Sequence, residues 1–505
     1  MYPSTAYGNS MRILLALVAF WSLGPVVMYV FVPMYAKLNC ATAYEYLEKR
    51  FHVSVRCLAS ALFIILRIAW MAAATFAASV AIAGILGGQP IELLGFQIPI
   101  QYVVTVGLGV VAIAYTMLGG LRAVMWTDVL QFFVFFGTIL FAAILLIGQS
   151  EGGASRIYST YFEGRGNMLF DFSLDPTVRF GTIAILIGSF LEGLSSFGAD
   201  QVAVQRYIAA KDVKTSQVGF LINLIGMGVV LPGLLAIGMG LFSYFHHHPE
   251  DLAPVLIDKI VAGEAKSESL ARLSEAAGNA WPDPDRRQLE EFYAANPGYV
   301  RTDVLANNLQ DQALPRFVTL KFPPGVVGLL VAALMSATMS SIDSGIHSIT
   351  TAVIVDFRDR LWPNLRPKTD AGEMLVARCL VLLVGAMAVT LACFVGELGD
   401  VFAVAKKTVG AFAAPLLAVF ALGFFAPWAR TIGVFIGTWS GAAITLVTMA
   451  YYPDWFSMWF FPFGFFVSVG LSLILSVPFL STKEDGTRYT YWNVIRSKDD
   501  AQSGT

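Results

Sequence analysis

Between Gly325 and Asp356 the sequence reads GVVGLLVAALMSATMSSIDSGIHSITTAVIVD, an apolar stretch long enough to cross a bilayer that carries Ser336, Ser340, Ser341, Asp343, Ser344, His347, Ser348 and Thr351 in its middle. At helical spacing, positions 336, 340, 343/344, 347 and 351 fall on one face. A helix in lipid satisfies its own backbone, so these side chains are not needed to rescue it. The face is a ladder of oxygens with a carboxylate at its centre. A charged Asp at mid-bilayer costs about 2.5–3.5 kcal/mol on insertion scales, so Asp343 is expected to face a partner or a wet cavity. A hard cation that prefers oxygen ligands is the natural partner. Packing is the competing reading: small residues let membrane helices approach closely, and a Ser or Thr hydroxyl often bonds back to its own helix.

The rest of the chain must position that face in a membrane. Of 505 residues, 56% are hydrophobic and 13% are charged, against about 25% charged in soluble domains, which makes this an integral membrane protein. No basic patch with interleaved aromatics supports nucleic-acid binding. Cys40, Cys57, Cys379 and Cys393 have no metal-ligand spacing and imply no disulfide framework. The first ten residues, MYPSTAYGNS, lack the basic start and apolar core of a signal peptide. No span carries a His or carboxylate cluster with metal-ligand spacing, which argues against an integral-membrane enzyme; no organic cofactor is expected. The run His246, His247 and His248 reads as a solvated loop tract, with metal binding as the alternative.

Windows of about 20 apolar residues predict about eleven spans, at 11–36, 55–86, 101–119, 123–148, 181–199, 215–244, 325–354, 375–396, 402–426, 431–451 and 459–480. Lys and Arg concentrate in alternate connections, as in Lys49, Arg50 and Arg56, or Arg358, Arg360, Arg366 and Lys368. The positive-inside rule then predicts an outer N-terminus and a cytoplasmic C-terminus, with the cell's plasma membrane as the location. Residues 1–480 read as a single transmembrane domain and 481–505 as a polar cytoplasmic tail; 149–180 and 245–323 read as long outer loops, the second with a short surface helix at SESLARLSEAA.

Three segments carry more information. Residues 43–51 (AYEYLEKRF) form an amphipathic connector; 115–131 (YTMLGGLRAVMWTDVLQ) predicts a break at Gly119–Gly120 and then a helix carrying Asp128 and Gln131; in 197–212 (FGADQVAVQRYIAAKD) an apolar span stops short and runs into polar sequence. Asp128 has a structural alternative, as a partner of the positive end of a helix dipole.

Together with MSSIDSGIHSITTAVIVDF and the later APLLAVFALGFF, these segments resemble the solute:sodium symporter family, over residues 1 to about 450. Its members include sodium-coupled carriers of sugars, proline, monocarboxylates, vitamins, iodide and sialic acid. The resemblance implies an all-α bundle of two inverted five-helix repeats around a mid-membrane site, the arrangement of the bacterial leucine transporter. Counted against that pattern, the chain lacks the first helix of repeat one and the helix before it. Residues 2–7 (YPSTAY) look like the outer connector that follows that pair. A truncated N-terminus, from a misplaced start or from gene decay, is therefore expected.

The resemblance implies a principal sodium site at the Ala337 carbonyl and the Ser340 and Ser341 hydroxyls, and a second sodium at Asp128, Ser340, Asp343 and Ser344. Asp343 departs from the commoner small hydroxyl residue; it strengthens cation binding, takes a proton, or forms a salt bridge to a neighbouring helix. Asp200 and Gln201 are implied candidates for a small solute, and so are Lys406 and Lys407 in the ninth span, which would suit a carboxylate unless they snorkel or pair with Asp400. Sodium-coupled symport by alternating access is the expected function. A sensor that keeps the fold without transport, or a nonfunctional remnant, is the alternative.

Overall fold

Apolar runs bounded by Pro, Gly and charged residues become helices that pack around one long central helix. The computed structural model describes residues 2–38, 40–87, 90–93, 95–165, 170–263, 265, 271, 273, 275, 285–307, 309–398, 401–480 and 485–496, with the backbone path alone at 93, 118–128, 165, 397–398, 485 and 496. The membrane helices are α1 (Met11–Leu38), α2 (Val53–Ile85), α3 (Ile100–Gln149), α4 (Thr182–Gly198), α5 (Gln201–Ala209), α6 (Val213–His247), α7 (Pro324–Ala352), α8 (Asp370–Ala392), α9 (Val401–Phe425), α10 (Thr431–Tyr451) and α11 (Phe460–Ser476). Among the described residues ten helical segments are long and apolar enough to cross a membrane, the two halves of α3 counted separately, or eleven when α4 and α5, bent by 47° at their break, count as one span. The span count read from hydropathy therefore stands.

One expectation fails. Gly119–Gly120 does not interrupt the chain: Ile100–Gln149 is a continuous helix. Glycine lowers helix propensity by about 1 kcal/mol but leaves every backbone hydrogen bond available, so it permits a break without imposing one. The two apolar halves, Ile100–Met117 and Val129–Gln149, are each of spanning length. The first packs against α2, α7 and α8; in the second, Ile139 and Leu146 meet Gly233 and Gly240 of α6.

Helix α2 lies at the centre, packed on α3, α7, α8 and α9, and α9 is the most buried of the spans. Close approach is built from small residues. On α10, Gly433, Gly437 and Gly441 recur every four residues and face Ser476, Ser472 and Ser468 of α11, so near that any Cβ would collide with those serines. The long insertion at 245–323 is a folded cap rather than a loose loop. Its helices Ala253–Val261, Arg286–Ala295, Pro297–Ala306 and Ala313–Lys321 bury Leu256, Leu289, Tyr293, Val300, Val304 and Phe317 against the end of α6. Most of SESLARLSEAA lies outside the described residues. The histidine run closes α6: His247 reaches the Ser243 carbonyl, His246 meets Arg301 and His248 meets Glu250. A two-stranded ribbon, Ile91–Leu93 with Phe96–Ile98, went unread in the sequence. The segment 2–8 is a short helix whose Tyr7 is buried, and the tail returns to the bundle through Tyr489, Tyr491 and Val494.

Candidate functional site

The oxygen ladder of α7 packs against α2 and α3, with Gly345 fitted against Met71. Four hydroxyls of α7 turn back on their own helix: Thr338 donates to the Leu334 carbonyl (2.9 Å), Ser344 to Ser340 (2.9 Å), Thr351 to His347 (3.0 Å) and, more loosely, Ser341 to Ala337 (3.4 Å). This is the pattern packing alone would produce. Ser336 and Ser340 differ, because neither hydroxyl has a hydrogen-bond partner among the described residues, and the buried Thr350 hydroxyl has none either. Asp343, 1% exposed, accepts a 2.5 Å bond from the Thr116 hydroxyl of α3, which also reaches the Ala112 carbonyl. The buried carboxylate thus meets a neighbouring helix, and Thr116 was not singled out from the sequence. Asp128 lies outside the described side chains, so its place relative to Asp343 is not part of the geometry.

Asp200 and Gln201 sit at the bend between α4 and α5. The bend forms where the Gly198–Ala199–Asp200 sequence ends one helix and the Asp200 carboxylate caps the next, accepting from the Val202 N–H at 2.8 Å. Its second oxygen is held by Arg67 of α2, an ion pair within the membrane-spanning part of the molecule. Gln201, fully buried, accepts from the Ala43 N–H at 2.8 Å and so ties the bend to the connector helix Ala43–Arg50. Three donors gathered here have no partner among the described residues: Arg67 Nε, Gln201 Nε2 and the Tyr44 hydroxyl. Burial first, and then the nearby Asp200 carboxylate, pushes the Tyr44 phenol well above its ordinary value, so it stays protonated.

The two lysines of α9 part company. Lys406 is paired with Glu192 of α4, its Nζ at 2.8 and 2.7 Å from the two carboxylate oxygens, both side chains largely buried. Asp400, the partner weighed from the sequence, lies outside the described residues. Lys407 stands 6.0 Å from the Phe460 ring and has no carboxylate partner among the described residues. Arg67 in ALFIILRIAWM and Glu192 in ILIGSFLEGL were passed over, although a lone charge inside an apolar run was the signal that would have found both.

Below the bend, a denser network joins the connector to the far end of α7. Asp356 accepts from Thr42 (2.9 Å), Ser60 (3.1 Å) and Arg56 Nε (2.8 Å); Arg56 also reaches Glu48 (2.7 Å), which in turn holds Arg360. Thr42 serves twice, since it also caps the connector by accepting from the Glu45 N–H. Among the described residues no group of three His, Cys, Asp or Glu side chains could hold a metal ion, so a cation here would rest on hydroxyls, carbonyls and single carboxylates.

The sequence profile of the Sodium:solute symporter family matches residues 3–271 and 289–441. Sodium-coupled monocarboxylate transporter 1 of Homo sapiens is 28% identical over 83% of this chain and 58% of its own length. Sodium/sialic acid symporter NanT of Aliivibrio fischeri is 25% identical over 88% of this chain and 75% of its own. A solved structure of a Na+-coupled sialic acid symporter, substrate-bound and outward-open, shares the fold with a TM-score of 0.71 at 22% identity, covering 94% of this chain and 85% of that one. The inverted-repeat helical bundle expected from the sequence is therefore the fold. The chain spans about 58% of the length of such curated relatives as the human transporter.

Proposed function

The chain belongs to the Sodium:solute symporter family, and on that premise we propose that it is a secondary active transporter that couples sodium entry to uptake of a small organic solute by alternating access. The observation that carries this reading is the middle of α7, where the Ser340 hydroxyl, without a hydrogen-bond partner among the described residues, stands beside the Ala337 carbonyl, the loosely bonded Ser341 hydroxyl and the buried Asp343. Hydroxyls and carbonyls replace the hydration oxygens of a hard ion. In this proposal Ala337, Ser340 and Ser341 hold the principal sodium, and Asp128, Asp343 and Ser344 with Ser340 hold a second. Sodium and solute tighten each other's binding, because coupling between sites is reciprocal. At 100 mV each sodium moving inward supplies about 2.3 kcal/mol before its concentration gradient is counted.

The solute we propose is a carboxylate. Support comes from Lys407, a membrane-helix cation without a carboxylate partner among the described residues, and from the monocarboxylate relative. In this proposal Lys406, Asp200 and Gln201 also belong to the solute route, where Lys406 is paired with Glu192 and Asp200 with Arg67. The protein would work in the plasma membrane, with its N-terminus outside, its C-terminal tail cytoplasmic, and residues 1–480 acting as one transport unit.

The test is uptake of a radiolabelled short monocarboxylate into proteoliposomes. An inward sodium gradient should drive accumulation that choline does not, and S340A/S341A should raise the sodium concentration for half-maximal uptake by about tenfold, the loss of one or two ion-dipole contacts. K407Q should abolish uptake of the carboxylate. Equal uptake in sodium and choline would overturn the reading.

A further inference from the structure

Asp200 ends one half of a bent span and caps the other, so whatever holds its carboxylate also holds the bend. Two ties do so from outside the span. Arg67 reaches across from α2 to the carboxylate, and Gln201 accepts from Ala43 of the connector. Around these ties the closed arrangement is under-satisfied: Arg67 Nε, Gln201 Nε2 and the Tyr44 hydroxyl are buried without partners among the described residues, and so is the Tyr207 hydroxyl one helical stretch further on. Buried donors with no acceptor penalise the state that buries them, and water admitted to the bend would relieve the penalty. The closed state is therefore held by few contacts against a built-in tendency to hydrate. This is the physical condition for a two-state element rather than a rigid joint.

We infer that the Arg67–Asp200 ion pair is a latch that keeps the bend between α4 and α5 shut against the connector, and that releasing it lets water reach the bend from the connector side. The latch serves transport only if the symporter reading holds, but its existence can be tested without solute or sodium. Cys40 supplies the reporter: it is buried, lies three residues before Ala43, and so borders the contact that Gln201 would release. Cys57 is the internal reference, because its thiol bonds the Asp356 carbonyl in the network that does not involve the bend.

The full chain in lipid nanodiscs is treated with a small water-soluble maleimide, and modification of each cysteine is followed by peptide-resolved mass spectrometry. R67Q/D200N removes both charges together and leaves neither buried alone. Its Cys40 should react about tenfold faster than in the wild type, the equivalent of one charged hydrogen bond lost, while Cys57 stays unchanged. R67K keeps the charge but not the two-pronged guanidinium and should fall between them. If the double variant does not fold, R67K alone decides. Cys40 rates within twofold across these proteins, or Cys57 accelerating in step with Cys40, would overturn the latch. Absence of sodium-driven uptake in the wild type, together with fast Cys40 labelling in the double variant, would remove the transport reading and leave the latch standing.

Discussion

Helix α2 carries two buried arginine–aspartate pairs eleven residues apart, at Arg56 and Arg67, a separation of about 16 Å along the helix. Their surroundings differ sharply. Asp356 accepts from Thr42, Ser60 and Arg56, and the guanidinium extends to Glu48 and the Val355 carbonyl. Asp200 has Arg67 and one backbone N–H, and three donors around it have no partner among the described residues. A buried ion pair stabilises a fold only when its remaining hydrogen-bonding capacity is met, since desolvation of two charges otherwise offsets their attraction. The pair at Arg56 fits a permanent clamp between the connector and α7. The pair at Arg67 fits a contact that is made and broken.

Single removals should separate the two most widely. R56A leaves the fully buried Asp356 without its cation, a loss of about 3–5 kcal/mol, to be read from chemical unfolding in detergent. R67A should cost less, about 1–3 kcal/mol, because the Arg67 side chain keeps 20% of its exposure and Asp200 retains its cap on α5. A cost for R67A equal to or above that of R56A would erase the distinction.

How much of this could be read beforehand follows from what each signal requires. The span count, the stop after Gly198 and the ladder on α7 are local patterns of hydropathy and spacing, and they survive. The fate of each rung is not local. Whether Ser344 turns to Ser340 or to a cation, and whether Asp343 meets Thr116 from a position 227 residues away, depends on which helices pack together. Arg56 was legible as a marker of sidedness but not as the partner of Asp356, and the pairings of Glu192 with Lys406 and of Arg67 with Asp200 became visible only with the bundle assembled. Gly119–Gly120 misled for the opposite reason: the pattern was local, but glycine allows a bend only where packing asks for one.

Smaller substitutions sharpen the contrast. S60A deletes one of the hydrogen bonds to Asp356 and should cost about 1 kcal/mol. T42V deletes another and also the cap of the connector helix, for about 1–2 kcal/mol. Y44F, in contrast, removes a buried hydroxyl near the Arg67 pair that has no partner among the described residues, so it should leave stability unchanged or slightly improved. A loss of stability in Y44F as large as in S60A would mean that the second pair is as well supported as the first.

Glu48 offers the finest test, through pH. Burial works to raise its carboxyl, but hydrogen bonds from Arg360 and Arg56 outweigh burial and hold it below the ordinary glutamate value of 4.5. A group whose folded pKa is depressed contributes stability that is present above its unfolded pKa and is lost as pH falls through the folded one. The Glu48 contribution to the clamp should therefore be constant at neutral pH and disappear only in acid below 4.5. E48Q should lower stability by no more than about 1 kcal/mol near pH 7, and the gap between it and the wild type should close as the solution is acidified past that value. Parallel wild-type and E48Q curves down to the acid limit would show that Glu48 keeps its charge by some contact other than the two arginines, and the clamp would lose its outermost member.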